Sequence, residues 1–274
     1  MNSLTQWIGG RTLAETLAEA QQQVRQNPAS ADPRAALVQL MCLNGDWERA
    51  RTQLKSWLAL APQAAPTVTL LDQCIAGEIS RAGVFAGQEQ PRLPGDEFHW
   101  VSQLHQGLQA QIAGDRQTAE ALRAAALDAA PLTTATLYLQ GQAEPVHVAW
   151  LSDGDGRFGP VCETLVNGHY YWLPFAAIAE IEFQAPASVT DLVWRHSRIQ
   201  LVDGSEQVCQ IPVRYPFDNQ TSDAERRGQM TEWQTEDEQL WTGRGQKSWL
   251  DAEQDFPLLT LNKVVFSTGD VADA

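Results

Sequence analysis

The sequence predicts an α+β protein in two parts. Residues 1–135 read as a domain of helical hairpins, and residues 136–274 read as a small antiparallel β-sheet or barrel domain. Three observations carry this. Apolar residues recur at helical spacing up to about residue 130, alternate at strand spacing from about Glu144, and the second part holds two hairpin turn signals. At 274 residues, with 43% apolar composition, the chain has room for two cores.

The helical elements follow in order. Leu13, Leu17, Ala20 and Val24 form one face over 11–26. Asp32-Pro33 predicts the start of a second helix, an acid cap followed by proline, with Leu37, Leu40 and Met41 inward. Asn44-Gly45 ends it. Asp46 begins a third helix with the stripe Trp47, Ala50, Leu54, Trp57, Leu58 and Ala61, and Pro62 stops it. Leu71, Cys74, Ile75 and Ile79 mark a fourth over 67–83. A break containing Pro91, Pro94 and Gly95 precedes a fifth, capped by Asp96. Gly114-Asp115 turns into a sixth, which ends before Pro131.

The helices contain an internal echo. Gly45-Asp46, Ala50 and Ala61-Pro62 reappear at Gly114-Asp115, Ala119 and Ala130-Pro131, an offset of 69 throughout. That is close to twice the ~34-residue period of tetratricopeptide hairpins, so the helical domain reads as TPR-like. The other reading is a plain bundle. Stacked hairpins form a groove suited to a helix or an extended peptide.

In the second part, Val146–Trp150 alternates as a strand. Val161–Val166 and His169–Leu173 flank Asn167-Gly168, a strong signal for a two-residue hairpin. Ile199–Val202 and Gln207–Ile211 flank Asp203-Gly204 in the same manner. Ile178–Phe183 and Leu261–Phe266 complete the strands. The polar stretch from Pro216 to Pro257 reads as a long loop, or as a segment pinned to the sheet by Trp233, Trp241 and Trp249.

Charge excludes some partners. The chain carries net −15, with 13 acids against 10 bases in residues 1–140 and 21 against 9 in 141–274. Such an acidic second half argues against nucleic acid and against an anionic membrane. A basic segment would suit it. No stretch has the length and apolarity of a membrane span, and the N-terminus lacks a signal-peptide pattern. Cys42, Cys74, Cys162 and Cys209 are widely spaced within apolar patterns, as expected of buried thiols in a reducing compartment. The expected location is the cytoplasm, with no cofactor.

The stretch Asp153-Gly154-Asp155-Gly156-Arg157 resembles chemistry at first sight. Counted as a calcium loop, its fifth, sixth and twelfth places hold Arg157, Phe158 and Thr164, where an oxygen ligand, Gly and Glu are needed. The alternative is hydrolysis by Asp153 or Asp155 with a nearby His. His99, His105, His147, His169 and His196 show no metal spacing and nothing selects a catalytic partner among them. A turn clamp fits better: the acids cap the turn, Gly154 and Gly156 permit positive φ, and Arg157 bridges a carboxylate. Gly243–Lys247 is short and basic but lacks the features of a phosphate loop, and reads as a solvated turn.

Several long segments resemble the ImpE family, also called SciE- or TagJ-type, an accessory of bacterial type VI secretion. They are LVQLMCLNGDWERARTQL (Leu37–Leu54), Arg81–Gly87, AEALRAAALDAAP, WLSDGDGRFGPVCE, NGHYYWLPF, APASVTDLVW (Ala185–Trp194), IPVRYP (Ile211–Pro216) and Met230–Trp233. The resemblance covers nearly the whole chain and implies no enzyme. It implies an adaptor that grips the N-terminal helix of the small contractile-sheath subunit (TssB/VipA-like) and, by extension, meets the ClpV-type AAA+ ATPase that recycles sheath. Two surfaces are candidates for the grip. One uses Trp47, Trp57 and Trp100; the other uses Trp172, Trp194 and Trp233 beside Arg157 and Arg214. All these tryptophans are also good core residues.

Overall fold

Thr12 opens the first helix with a reciprocal cap: its hydroxyl accepts from the Glu15 amide, and the Glu15 carboxylate accepts from the Thr12 amide. In the computed structural model, which describes residues 10–218, 220–235 and 240–268, six helices then follow. They are α1 (Leu13–Gln26), α2 (Ala31–Asn44), α3 (Trp47–Leu60), α4 (Ala65–Phe85), α5 (His99–Ile112) and α6 (Arg116–Ala129). Helix α2 begins before the expected Asp32-Pro33, with Ser30 at its N-cap. Pro33 sits in the first turn, where its missing N–H has no intrahelical acceptor to lose.

The sequence echo has a geometric counterpart. Gly45 and Gly114 both adopt left-handed backbone, at φ 82° and 81°. In each case the next amide closes the turn: Asp46 donates to the Met41 carbonyl and Asp115 to the Ala110 carbonyl, both at 2.9 Å. Ala50 and Ala119 are fully buried five residues after each glycine.

The strands are β1 (Thr133–Leu139), β2 (Val146–Val148), β3 (Ser152–Asp153), β4 (Val161–Val166), β5 (His169–Pro174), β6 (Ile178–Phe183), β7 (Trp194–Leu201) and β8 (Glu206–Pro212). A one-turn helix α7 (Asp223–Arg226) precedes β9 (Thr231–Thr235), β10 (Trp241–Gly245), β11 (Ser248–Leu250), β12 (Asp255–Pro257) and β13 (Leu261–Thr268). Eight strands form one antiparallel sheet in the order β2-β1-β13-β6-β7-β8-β4-β5. Strand β1 starts at Thr133, so it straddles the expected boundary at 135/136.

Asn167 and Gly168 have φ 50° and 84°, as the primed two-residue turn between β4 and β5 requires. The Asp203-Gly204 turn differs from expectation. Leu201 and Ser205 close a three-residue loop with Gly204 left-handed at φ 84°. The polar stretch 216–257 is not one loop within its described residues. It contains α7, the β9–β10 hairpin, and β11 and β12, which join β3 in a three-stranded sheet.

One apolar cluster runs through both parts. Leu37, Leu43, Leu54, Ile75, Trp100 and Leu104 of the helices share it with Phe158, Val161, Leu165, Trp172, Trp194 and Tyr215. A second cluster joins the eight-stranded sheet to the three-stranded one, around Phe175, Ile181, Trp249, Leu258 and Val264. Burying the shared cluster couples the two parts energetically, since apolar area removed from water stabilises by ~25 cal/mol per Å².

Candidate functional site

The loop Asp153–Arg157 is buried, not a surface turn. Asp153 is 3% exposed and Asp155 is fully buried. Asp155 takes the Arg157 guanidinium in a bidentate bridge at 2.9 and 2.5 Å, and also accepts the Arg157 and Gly243 amides at 3.0 Å each. Asp153 accepts the Asp155 amide at 2.9 Å, the Tyr215 hydroxyl at 2.9 Å and the Lys247 ammonium at 2.6 Å. The Arg157 guanidinium lies over the Phe85 ring of α4, 5.0 Å from its centroid. Neither Gly154 nor Gly156 has positive φ. They are glycine for space: a Cβ on Gly154 would lie 2.2 Å from the Trp233 ring, and one on Gly156 would lie 2.8 Å from Leu240.

From Asp153 a chain of buried charge runs to the helices. Lys247 bridges Asp153 and Glu163, at 2.6 and 2.8 Å. Glu163, on β4, also receives Arg81 of α4 in a bidentate bridge at 2.6 and 2.9 Å, and the Tyr170 hydroxyl at 2.5 Å. Arg81 continues to the Arg214 carbonyl at 2.9 Å and to Glu78 at 3.4 Å, and Glu78 accepts the Trp194 indole N–H at 3.0 Å. Burial would raise the Glu163 carboxyl, but Arg81 and Lys247 outweigh it and hold it at about 2. Burial wins at Asp153 and pushes it up to about 6, against the pull of Lys247. The basic stretch 243–247 is therefore an interior element, with Lys247 1% exposed.

A second junction uses a helix end. Arg214 donates to the Leu43 carbonyl at 2.6 Å and to the Arg226 carbonyl, and Arg226 donates to the Asn44 carbonyl at 2.5 Å. Both are cations from the second half at the C-terminus of α2, where the helix dipole favours positive charge. Burial lowers the Arg214 guanidinium to about 9.

Hydrolysis needs a base that can reach a substrate proton. The oxygens of Asp153 and Asp155 are occupied by the partners above, and no imidazole lies within hydrogen-bonding distance of either. His147 meets Thr136 at 2.9 Å, His196 meets Gln210 at 2.6 Å, and His105 is buried edge-on to Trp172, where burial lowers its pKa. Among the described residues, no cluster of three or more His, Cys, Asp or Glu is placed to hold a metal.

A family model described as ImpE protein matches residues 146–265, the span that holds the Asp153 loop, Glu163, Arg214 and Lys247. The type VI secretion system accessory component TagJ of Pseudomonas aeruginosa (strain PAO1) is 37% identical over 222 residues, covering 81% of this chain and 77% of the relative. The chain belongs to the ImpE family. Its fold is shared with the crystal structure of protein VPA1032 from Vibrio parahaemolyticus, at TM-score 0.83 and 22% identity, over 95% of this chain and 96% of that one.

In this ImpE-family chain most of the aromatic and cationic residues suggested for partner contact are interior. Trp57, Trp100, Trp172, Trp194 and Arg214 are between 1% and 8% exposed, so these side chains fill the shared core and present little surface. Trp47 is half-buried and packs at 5.7 Å from Trp194. Trp233 is half-buried against Tyr215, and Arg157 is committed to Asp155 and Phe85. Trp241, 50% exposed, is the most exposed tryptophan among the described residues. No helix among the described residues is long and apolar enough to cross a membrane.

Sequence reasoning missed Arg81, Glu163 and Lys247. Only Glu163 carried a local signal: it is an acid inside the apolar run of the predicted strand Val161–Val166, and the structure buries the first five residues of that strand. A charge at such a place requires a buried partner.

Proposed function

We propose that this chain is a non-enzymatic accessory of a type VI secretion system that binds the N-terminal helix of the small, TssB/VipA-like sheath subunit. Through that contact it meets the ClpV-type ATPase, and it works in the cytoplasm. The relationship to TagJ carries the reading, because that relative is by name an accessory component of this system. The helical part is read as TPR-like, on the strength of the two matched glycine turns at 45 and 114 and the matched buried alanines. The non-enzymatic reading is supported by the burial of Asp153 and Asp155, by the protein groups that hold their oxygens, and by the distance of every imidazole from them.

Co-purification tests this. The full chain is mixed with the sheath heterodimer, intact or lacking the small subunit's N-terminal segment. A complex with the intact heterodimer, lost on deletion, is the expected result. Retention after deletion rules out recognition of that helix.

A further inference from the structure

A cleft of about 540 Å³ lies where the two parts of the chain meet. The turn into α3, the C-terminal half of α4 and residues 214–218 form its sides. Its volume falls within the ~300–1,000 Å³ range of small-molecule sites. The aromatic walls, Trp47, Phe85 and Phe217, are half-buried, and Ala82 on the rim is exposed, so the cleft opens to solvent.

Three acids and three arginines line it, but they are unequally paired. Each acid has a cation: Asp46 has Arg49 at 3.0 Å, Glu78 has Arg81 at 3.4 Å and Asp218 has Arg244 at 3.2 Å. Arg81 is further held by Glu163. Arg214 and Arg226 have no carboxylate partner among the described residues. Their bonds go to carbonyls: Arg214 donates to those of Cys42, Leu43 and Arg226, and Arg226 to those of Asn44 and Thr221. A carbonyl accepts a hydrogen bond without bringing a net charge. The dipole of α2 supplies about half a negative charge at its C-terminus, against two cations. Both guanidiniums also lie over one ring, Phe217, at 4.4 and 5.0 Å from its centroid, and Arg214 is only 3% exposed. A cation this deeply buried is costly to leave without a counter-charge.

We propose that this cleft binds a small planar aromatic anion. Its carboxylate, sulfonate or phosphate group meets the guanidiniums of Arg226 and Arg214, and its rings lie against Trp47 and Phe85. The ligand supplies the negative charge that the chain itself withholds from this pair. The site is additional to the sheath contact and does not rest on it.

Two fluorescent dyes test it by titration of the full chain: anilinonaphthalene sulfonate, and phenylnaphthylamine, which has the same rings without the sulfonate. The net charge of −15 opposes an anion, so a preference for the sulfonate reports a local field. The expected result is one saturable sulfonate site per chain, on the order of ten-fold tighter than the neutral dye, with the difference shrinking as NaCl is raised. R226Q removes the preference, while R227Q, the same charge change one residue on and outside the lining, keeps it. At the exposed rim, Ala82→Glu weakens sulfonate binding several-fold and Ala82→Lys tightens it, and neither alters the neutral dye. Equal affinity for the two dyes, no saturable sulfonate binding, or sulfonate affinity indifferent to both Ala82 changes overturns the proposal. The Ala82 pair decides the matter even where R226Q folds poorly, because an exposed helical alanine tolerates either replacement.

Discussion

Replacing Glu163 by Gln removes one charge at the centre of the buried network and little volume. Arg81 and Lys247, 4% and 1% exposed, then face each other across an amide. Removing one partner of a buried ion pair costs about 3–5 kcal/mol, and the lower end applies here because Lys247 keeps Asp153 at 2.6 Å and Arg81 keeps Glu78 at 3.4 Å. The titration of Glu163 gives an independent figure. Its carboxyl falls from 4.5 to about 2 on folding, which at ~1.4 kcal/mol per pH unit corresponds to roughly 3 kcal/mol. Because the folded pKa is depressed, this stability is complete above pH 4.5 and is lost as pH falls towards 2. Asp153 acts oppositely. Its pKa rises from 3.8 to about 6, so its protonation adds stability as pH falls through that window. The assay is urea unfolding, followed by far-UV circular dichroism and tryptophan fluorescence, at pH 7 and at steps down to pH 3. The variant is expected to lose about 3 kcal/mol at pH 7, with the gap to wild type narrowing below pH 4.5. A loss under about 1 kcal/mol at pH 7, or a gap that ignores pH, refutes the assignment of Glu163 as the charge centre.

Three further outcomes are expected. Gly154→Ala forces a Cβ to within 2.2 Å of the Trp233 ring, and the overpacking should cost about 1–3 kcal/mol, read as a fall in melting temperature; an unchanged melt would contradict the close approach. Trp194→Ala should cost about 3–5 kcal/mol, since it empties a core site and strips Glu78 of a donor at 3.0 Å. By contrast Trp241→Ala, at a position 50% exposed, should stay within ~1 kcal/mol of wild type, and equal losses in the two variants would sink the distinction between core and surface tryptophans. Burial pushes the Cys42 and Cys209 thiols up to about 12 and raises those of Cys74 and Cys162, so none of the four should react with a thiol reagent at pH 8 until urea unfolds the chain.

The secondary elements were mostly legible because their signals are local. Gly45 and Gly114 announce left-handed turns, and Asn167-Gly168 announces a primed one, since few other residues tolerate those φ values. Helix periodicity located the six long helices to within a few residues, and the miss at Ser30 reflects that a proline is tolerated throughout a first turn. The stretch 216–257 read as a loop because its strands are short and polar. They are held by pairing with one another and with β3, a partner far away in sequence.

The site was far less legible. The resemblance to the ImpE family could be read from contiguous residues, and so could the Asp155–Arg157 bridge, whose partners are two positions apart. The environment of that bridge could not. Whether Asp153 faces water or Lys247 depends on bringing together residues 94 positions apart, and the Arg81–Glu163 bridge spans 82. Composition and periodicity, together with turn chemistry, determined which segments form helices and strands, because those preferences act within a few residues of chain. Only the tertiary structure decided that the apparent surface turn is buried, that its glycines serve packing instead of positive φ, and that five of the nine described tryptophans are core. Burial and counter-ion pairing are properties of the folded whole, and sequence spacing carries neither.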